Sequence, residues 1–309
     1  MSGSRKMQVA VSVATVWTSP ESPRPLDEPA TANPANIEGW LASMTLEDKL
    51  DLSDANRVQT QLLYGSEVTV TEEKGEWVSV RIPDQLTSKN MLGYPGWLPK
   101  RQLTHAPDTT TGGIWAEVVS PRAGLQSRSG AAPIQISYLT RLPVIETAGE
   151  EIIVRTPDDG IGVLAAKDVR IIGDGIGQQA PEHLHAGFRI VDQAMSFLGL
   201  PYLWGGMSAF GYDCSGFACS MYKSQGILIP RDASDQAREG RAIANESLEP
   251  GDLLFFAHDK GKGRVHHVGI YAGGNRMLHS PDSKGAVELV ELSGFRLAEE
   301  HCTSRRYWT

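Results

Sequence analysis

The stretch that decides the fold of the C-terminal part of the chain is Gly211-Tyr-Asp-Cys-Ser-Gly-Phe217. Beyond Asp213, apolar residues at positions 217, 218, 221 and 222 follow the helical period, and Gly226 is a typical helix end. Asp213 is therefore the predicted N-cap and Cys214 the first helical residue. At a helix start, unpaired N–H groups and the helix dipole favour a thiolate, although the charge of Asp213 opposes that effect.

A hairpin further along the chain supplies a candidate base for this thiol. The pattern predicts two buried strands, a turn and a returning strand, at 252–256, 265–271, 272–275 and 276–280. His267 and His279 are equally far in sequence from Gly273, so a symmetric hairpin places them opposite each other, with Cβ atoms roughly 5 Å apart. We expect Cys214 to be the nucleophile, His267 its base and His279 the residue that orients the base. His266 points to the other face of its strand by the two-residue period.

Two β-rich segments precede this region. The first begins with an alternating strand, continues through a proline-rich run at 19–34 that predicts no regular structure, and then has a capped helical stretch at 36–50. A hairpin follows, with alternating residues on both sides of the turn at 72–76. The phrase at 96–103 matches the phrase at 162–169, since both read Gly-x-Leu-x-x-x-x-aliphatic. The sequence therefore predicts two copies of one small β module.

Composition limits the function classes. Of the 309 residues, 40% are hydrophobic and 21% charged, which is typical of a globular protein with two or three domains. We find no apolar run near the roughly 20 residues that a membrane-spanning helix needs. The net charge of −8 argues against a nucleic-acid partner, because phosphate binding needs a basic surface.

The cysteines and the N-terminus indicate the compartment. Cys214, Cys219 and Cys302 are odd in number and lack CxxC spacing, so they predict neither a disulfide framework nor a zinc knuckle. Cys219 lies mid-helix and is expected to be a small buried residue. The N-terminal apolar stretch is short and alternating, which predicts a strand and not a signal peptide. We therefore expect a cytoplasmic protein, with the periplasm and the cell exterior left open.

Four phrases resemble the NlpC/P60 cysteine peptidases: DCSGF at 213–217, PGDLLFF at 250–256, HHVGIYAGG at 266–274 and HSP at 279–281. The resemblance covers about 186–309 and implies a papain-like α+β catalytic domain with Cys214, His267 and His279 as its triad. It also implies that Tyr202 supports the oxyanion. The two β modules resemble bacterial SH3-like (SH3b) domains, with an unrelated pair of small β-barrels as the alternative. The predicted fold class is thus a papain-like α+β domain after two all-β SH3-like barrels, with domains at 1–108, 109–180 and 181–309.

With two SH3b modules in front, the chain resembles the YkfC-like γ-D-glutamyl-L-diamino acid endopeptidases. The resemblance implies a hydrolase of murein peptides that begin with a free L-Ala, cutting before meso-diaminopimelate or L-Lys, in cell-wall recycling by a monomer without metal or cofactor. A buried ammonium must be paired, so acidic and phenolic groups are expected around the free amine. The candidate substrate-binding residues are Tyr94, Asp232, Trp204, Asp213, Ser215 and Glu67. Ala233 stands where the resemblance implies Ser, which puts one substrate hydrogen bond in question.

Three alternatives remain open from the sequence. The first is a broader peptidoglycan hydrolase that acts on the intact wall. The second is a non-catalytic protein whose SH3b modules bind the wall. The third is a zinc amidase with His266, His267 and Cys214 as ligands, which the opposite facing of adjacent strand residues disfavours.

Overall fold

The computed structural model describes residues 5–106, 113–130, 132–173 and 186–308. The chain divides into two units. The first holds the described residues within Met1–Asp84, Leu92–Gln179 and Ser208–Phe210, and the second those within Gln85–Met91, Ala180–Met207 and Gly211–Thr309. The predicted domain boundaries after 108 and after 180 lie outside the described residues and stay predictions.

Seven strands form the first β module: β1 Arg5–Val9, β2 Val13–Trp17, β3 Val58–Leu63, β4 Glu67–Lys74, β5 Trp77–Ile82, β6 Tyr94–Pro99 and β7 Leu103–His105. They pair antiparallel in the order β3-β2-β6-β5-β4-β1-β7. The N-terminal stretch that was predicted as one strand forms two, β1 and β2, and the predicted hairpin is present as β4 with β5. The alternating apolar residues of these strands form one buried core that includes Val9, Val80 and Tyr94.

The insertion between β2 and β3 is more regular than predicted. Helix α1, Glu28–Thr31, follows a 3-10 turn at Pro25–Asp27, so the prediction of no regular structure at 19–34 is wrong there. Pro25 and Pro29 are tolerated because they occupy first-turn positions, where the missing N–H has no helical partner. Helices α2 Ile37–Ser43 and α3 Leu46–Asp54 confirm the capped helical stretch, with Asn36 and Thr45 as N-caps.

The second module repeats the first. Its strands are β8 Ile114–Val118, β9 Arg122–Ser127, β10 Ile134–Ser137, β11 Arg141–Ala148, β12 Glu151–Arg155, β13 Ile161–Ala165 and β14 Val169–Gly173. The antiparallel order β10-β9-β13-β12-β11-β8-β14 is that of the first module, strand for strand. The matched phrases at 96–103 and 162–169 each pass from a strand through a 3-10 turn, Lys100–Gln102 or Ala166–Asp168, into the last strand. The predicted duplication is confirmed.

The C-terminal part mixes helices and strands. The helices are α4 Ala186–Met195, α5 Cys214–Lys223, α6 Ala233–Gln236 and α7 His258–Gly261. The strands are β15 Met207–Ser208, β16 Gly211–Tyr212, β17 Arg241–Ala242, β18 Leu253–Ala257, β19 Val265–Gly273, β20 Arg276–His279, β21 Glu288–Glu291 and β22 His301–Arg306. Six of them form an antiparallel sheet in the order β17-β22-β18-β19-β20-β21. The predicted hairpin is β19 with β20, and helix α5 packs against β19.

Two further features belong to this C-terminal unit. Helix α4 ends at Met195, because residues 196–198 form tighter i→i−3 hydrogen bonds. The segment Gln85–Met91 is part of the unit although it lies between β5 and β6 in sequence. Its Leu86 carbonyl accepts the Arg231 N–H at 2.8 Å, and the N–H and Oγ of Ser88 donate to Asp235, both at 2.8 Å. Within the residues that the structure describes, no helix has the length and hydropathy needed to cross a bilayer.

Candidate active site

Cys214 is the first residue of helix α5, as predicted. Asp213 is the N-cap, and its Oδ1 accepts the Gly216 N–H at 2.6 Å. The N-cap hydrogen bond therefore fixes the backbone on both sides of Cys214, at Asp213 and at Gly216. The Cys214 side chain remains partly accessible, whereas Cys219 is buried in the middle of the same helix. The expectation for Cys219 is confirmed.

A buried arginine that the sequence analysis missed holds this helix start. Arg231 is only 2% exposed, and its guanidinium donates to both oxygens of Asp213, at 3.1 and 2.7 Å. It also donates to Ser215 Oγ at 2.9 Å, and Ser215 in turn donates to Asp213 at 3.2 Å. The N–H of Gly205 completes the set at 3.0 Å from Asp213 Oδ2. Local sequence gave no signal for Arg231, because its partners lie 16 and 18 residues away.

This network changes the expected use of Asp213 and Ser215. Both had been assigned to substrate binding, but their side chains are buried and already hydrogen-bonded to Arg231 and to the helix start. The structure gives them a positioning role, in which they fix the backbone around Cys214. Direct contact between these side chains and a substrate stays a prediction.

The surroundings of Cys214 favour the protonated form of its thiol. Burial, together with the nearby charge of Asp213, raises its pKa to about 12, while hydrogen bonds with the backbone of Val268 and Ser215 act in the opposite direction. The contact with Val268 places the thiol beside strand β19, at the residue next to His267. The helix end alone therefore does not generate a thiolate, and a base must take the proton.

His267 and His279 meet, but not in the predicted register. Gly273 pairs with Arg276, so the turn lies at 274–275 and not symmetrically about Gly273, and a bulge between Tyr271 and Gly273 then changes the register by one residue. As a result Ile270 faces Leu278 and His279 comes opposite Gly269. The prediction of a directly opposed histidine pair is therefore wrong. His267 Nε2 nevertheless lies 2.8 Å from His279 Nδ1, because the diagonal separation is within reach of aromatic side chains and Gly269 has no side chain to intervene.

The imidazoles of His267 and His279 are buried among apolar side chains. His267 is 3% and His279 1% exposed, and Phe256 and Phe295 pack against their rings. Burial holds the pKa of His267 well below 6.5 and also lowers that of His279. Both rings are therefore neutral near pH 7. Since Nε2 of His267 is occupied by His279, Nδ1 is the nitrogen left for Cys214.

A second residue that the sequence analysis missed lies behind His279. Glu288 stands directly opposite His279 in the β20–β21 pairing, and its Oε1 is 3.2 Å from His279 Nε2. Its carboxylate acts to raise the pKa of His279 against the effect of burial. Only a reliable prediction of strand β21 and its register could have found Glu288.

His266 lies on the other face of β19, as predicted. Its Nε2 is 2.8 Å from Glu300, and its ring stacks on His258 with centroids 4.2 Å apart. In the described part of the chain, no group of three or more His, Cys, Asp or Glu side chains is placed to hold a metal ion.

Tyr202 and Trp204 lie on the segment that precedes the helix. The Tyr202 N–H donates to the Gly285 carbonyl at 3.0 Å, and the residue forms a bridge with Tyr212. Burial raises the pKa of Tyr202 well above 10, and negative charge at Cys214 or Asp213 acts in the same direction, so the phenol keeps its proton. Trp204, next to the Gly205 that binds Asp213, is 36% exposed and leaves its ring accessible. The oxyanion role of Tyr202 and the groove role of Trp204 stay predictions.

The three residues expected to bind the substrate amine differ in exposure and in their partners. Asp232 is partly exposed and pairs with Lys89 Nζ at 2.9 Å. Tyr94 is 1% exposed and belongs to the core of the first β module. Glu67 is half exposed on β4 and lies 3.6 Å from Lys6 Nζ. Their roles in binding an amine stay predictions.

Three family models match the chain. The model described as the NlpC/P60 family matches residues 199–306. Models described as a bacterial dipeptidyl-peptidase Sh3 domain and a YKFC SH3b2 domain match residues 52–103 and 118–171. The three matches follow the three structural parts in order.

Similar proteins extend over almost the whole chain. The γ-D-glutamyl-L-lysine dipeptidyl-peptidase of Bacillus cereus is 42% identical over 306 residues, which cover 98% of this chain and 91% of that protein. The protein of the same name from Bacillus subtilis is 41% identical over 299 residues, which cover 96% and 97%. A crystal structure described as an NlpC/P60 family protein from Bacillus cereus superposes with a TM-score of 0.94 at 41% identity, over 98% of this chain and 100% of that chain.

A thiol at a helix start, packed against a strand whose imidazole is backed by a second imidazole, defines the papain-like class of cysteine hydrolases. Here that α+β unit follows two SH3-like β modules, which confirms the predicted fold class. The similarity of nearly the whole chain to the two dipeptidyl-peptidases and to the crystal structure identifies one family within this class. The chain belongs to the NlpC/P60 family of peptidases.

Proposed function

We propose that this protein is a cysteine peptidase that hydrolyses the γ-D-glutamyl–diamino acid bond of murein peptides with a free N-terminal L-Ala. The observation that carries the proposal is the full-length similarity to two γ-D-glutamyl-L-lysine dipeptidyl-peptidases, both above 40% identity. The neutral thiol and the neutral imidazole pair supply the chemistry that such a bond requires.

The reaction begins with a proton transfer from Cys214 Sγ to His267 Nδ1. The sulfur then bonds to the γ-carbonyl carbon of D-Glu, and the negative oxygen faces the backbone N–H of Cys214 and the phenol of Tyr202. That phenol can donate a hydrogen bond because its raised pKa keeps it protonated. The C–N bond breaks as His267 returns the proton to the departing amine. Water then attacks the thioester carbon and gives a proton to His267. The C–S bond breaks, the dipeptide leaves as the acid, and His267 returns the proton to the Cys214 sulfur.

The most direct test removes the nucleophile. Cys214→Ala should abolish cleavage of L-Ala-γ-D-Glu-meso-diaminopimelate and of its L-Lys counterpart, measured by mass spectrometry of the products. Cys302→Ala is the matched control, since this second partly exposed thiol has no imidazole pair beside it in the described structure. Cleavage by Cys214→Ala at the wild-type rate would exclude the mechanism. Cleavage lost equally in both variants would indicate a folding defect, and thermal unfolding would reveal it.

Recognition of a free amine is the finer part of the proposal. Asp232 supports it, because its carboxylate already binds an ammonium group, that of Lys89, while remaining partly exposed. An N-acetylated tripeptide should be cut far more slowly than the free tripeptide, and Asp232→Asn should reduce that difference. Asp192→Asn is the control, because Asp192 is exposed on helix α4. Equal cleavage of both peptides by the wild type would rule out amine recognition.

Two alternatives are outcomes of the same experiments. A broader wall hydrolase would release peptides from purified intact peptidoglycan as fast as it cuts the free tripeptide. A wall-binding protein without activity would sediment with purified wall and leave both peptides intact. We further propose a cytoplasmic monomer in peptide recycling, which cell fractionation and analytical ultracentrifugation would test.

A further inference from the structure

Three polar side chains form a row across neighbouring strands of the C-terminal sheet. His267 is on β19, His279 on β20 and Glu288 on β21, the edge strand. The nitrogen–nitrogen distance between the imidazoles is 2.8 Å, and the nitrogen–oxygen distance from His279 to Glu288 is 3.2 Å. The row ends at Glu288, whose side chain is 52% exposed, whereas that of His279 is fully buried.

The chemistry of the last group gives the row a direction. A carboxylate can only accept, so His279 must donate from Nε2 and keep Nδ1 as an acceptor. His267 must then donate from Nε2 to that nitrogen, which leaves its Nδ1 unprotonated and free to accept a proton from Cys214. With the opposite direction, His267 would carry its proton on Nδ1 and could not act as a base.

We propose that Glu288 is a positioning residue that fixes the tautomers of His279 and His267 so that the basic nitrogen faces Cys214. This inference rests on the proposed function, in which His267 is the base. Glu288 itself contacts neither the thiol nor the reacting bond.

Because His279 is buried, its Nε2–H needs a hydrogen-bond acceptor within the protein. A buried N–H without a hydrogen-bond acceptor is costly, and Glu288 satisfies the Nε2–H of a fully buried ring. The charged groups around the two rings are Glu288, Asp282 and Arg296, and His266 acts on His267 as well. Asp282 pairs with Arg296 at 2.8 Å, so these two charges largely offset each other. Glu288 is the carboxylate with a hydrogen bond to the row.

The decisive experiment compares Glu288→Ala and Glu288→Gln with Glu291→Ala. Glu291 is an exposed carboxylate on the same strand, opposite Arg276 and away from both histidines. The first readout is nitrogen-15 NMR of the imidazoles, which reports the protonated nitrogen in each ring. Wild type and Glu291→Ala should show Nε2–H in both rings, and Glu288→Ala should show a mixture that includes Nδ1–H in His279.

The second readout is kcat/KM as a function of pH. Glu288→Ala should lower kcat/KM roughly tenfold, which is a fraction of the 10²- to 10⁴-fold that a general base contributes. Glu288→Gln should lower it less, because its amide oxygen still accepts but its amide nitrogen allows the reverse direction. Because the carboxylate raises the pKa of His279, its removal should move the acidic limb of the profile to lower pH.

The outcomes separate this inference from the proposed function. Unchanged tautomers in Glu288→Ala, or a kcat/KM equal to that of Glu291→Ala, would overturn the role of Glu288. If the wild type fails to cut the tripeptide, the proposed function is wrong, but the NMR readout needs no substrate and still decides the role of Glu288. Glu288→Gln keeps the size of the side chain. An effect seen in this variant as well cannot be explained by a folding defect of the alanine variant.

Discussion

Replacing Gly269 by alanine should disturb the geometry of the imidazole pair although neither histidine is substituted. A Cβ built at Gly269 lies 2.6 Å from Met277 Cγ, closer still to its Sδ, and 3.2 Å from His279 Cβ. Ordinary carbon contacts are about 3.5–4.0 Å, so the neighbours must give way by about 1 Å at Met277 and a few tenths of an ångström at His279. Met277 is fully buried, so it cannot relieve the contact by turning into solvent without moving its neighbours.

The expected magnitudes follow from this crowding. Overpacking of a dense core costs typically 1–3 kcal/mol, so Gly269→Ala should lower the free energy of unfolding by about 2 kcal/mol. A misplacement of 1 Å can cost about 100-fold in rate, so a shift of a few tenths at His279 should lower kcat about tenfold. The loss of activity should therefore exceed what the fraction of unfolded protein explains.

The assay combines thermal unfolding with tripeptide cleavage at a temperature where the variant remains folded. Gly124→Ala is the control, because the nearest atom to its added Cβ is 3.6 Å away, an ordinary contact. Adding Met277→Ala to Gly269→Ala should relieve the crowding, so that the two stability losses sum to more than the loss in the double variant. Wild-type kcat in Gly269→Ala, or strictly additive losses, would refute this account of the hairpin.

Three further predictions concern the charges and the thiol. Arg231→Met should lower the free energy of unfolding by about 3–5 kcal/mol, because it leaves the carboxylate of Asp213 buried without its cation. Arg155→Met, at the exposed pair with Asp159, should change it by less than about 1 kcal/mol, and equal effects in urea unfolding would contradict the argument. Because burial lowers the folded-state pKa values of His267 and His279 below 6.5, the unfolded chain binds protons first, so stability should be complete above about pH 6.5 and decline as the pH falls below it. A constant unfolding temperature between pH 7.5 and 5 would speak against that burial. Alkylation of Cys214 by iodoacetamide, measured in Cys302→Ala, should accelerate with each step from pH 7 to 9 because the thiol pKa is raised to about 12, whereas a plateau near pH 6 would reveal a preformed thiolate.

Local patterns predicted the parts of the site that lie on single elements. The N-cap at Asp213, the helix start at Cys214 and the opposite facing of His266 and His267 each follow from a short stretch of residues. The repeat of one β module was also visible, because both copies conserve the phrase that links the last two strands. Such features depend on backbone periodicity and capping, which a sequence displays directly.

Features that depend on distant partners were missed or misplaced. The turn at 274–275 and the bulge between Tyr271 and Gly273 together place His279 opposite Gly269, and neither the exact turn position nor a one-residue bulge can be read from an alternating pattern. Arg231 and Glu288 read as ordinary surface charges until the fold brings them to Asp213 and His279. The near-complete burial of Tyr94 in the first module is a matter of tertiary packing that its local sequence does not display, and its role in binding an amine stays a prediction.

The segment Gln85–Met91 makes the catalytic unit discontinuous in sequence. A fragment limited to 181–309 would lack the Leu86 carbonyl that accepts a hydrogen bond from the Arg231 N–H. It would also lack the N–H and hydroxyl of Ser88 that donate to Asp235. Engineers who transplant the peptidase portion onto another scaffold should therefore carry these seven residues along, for example by fusing them ahead of helix α4 through a flexible spacer.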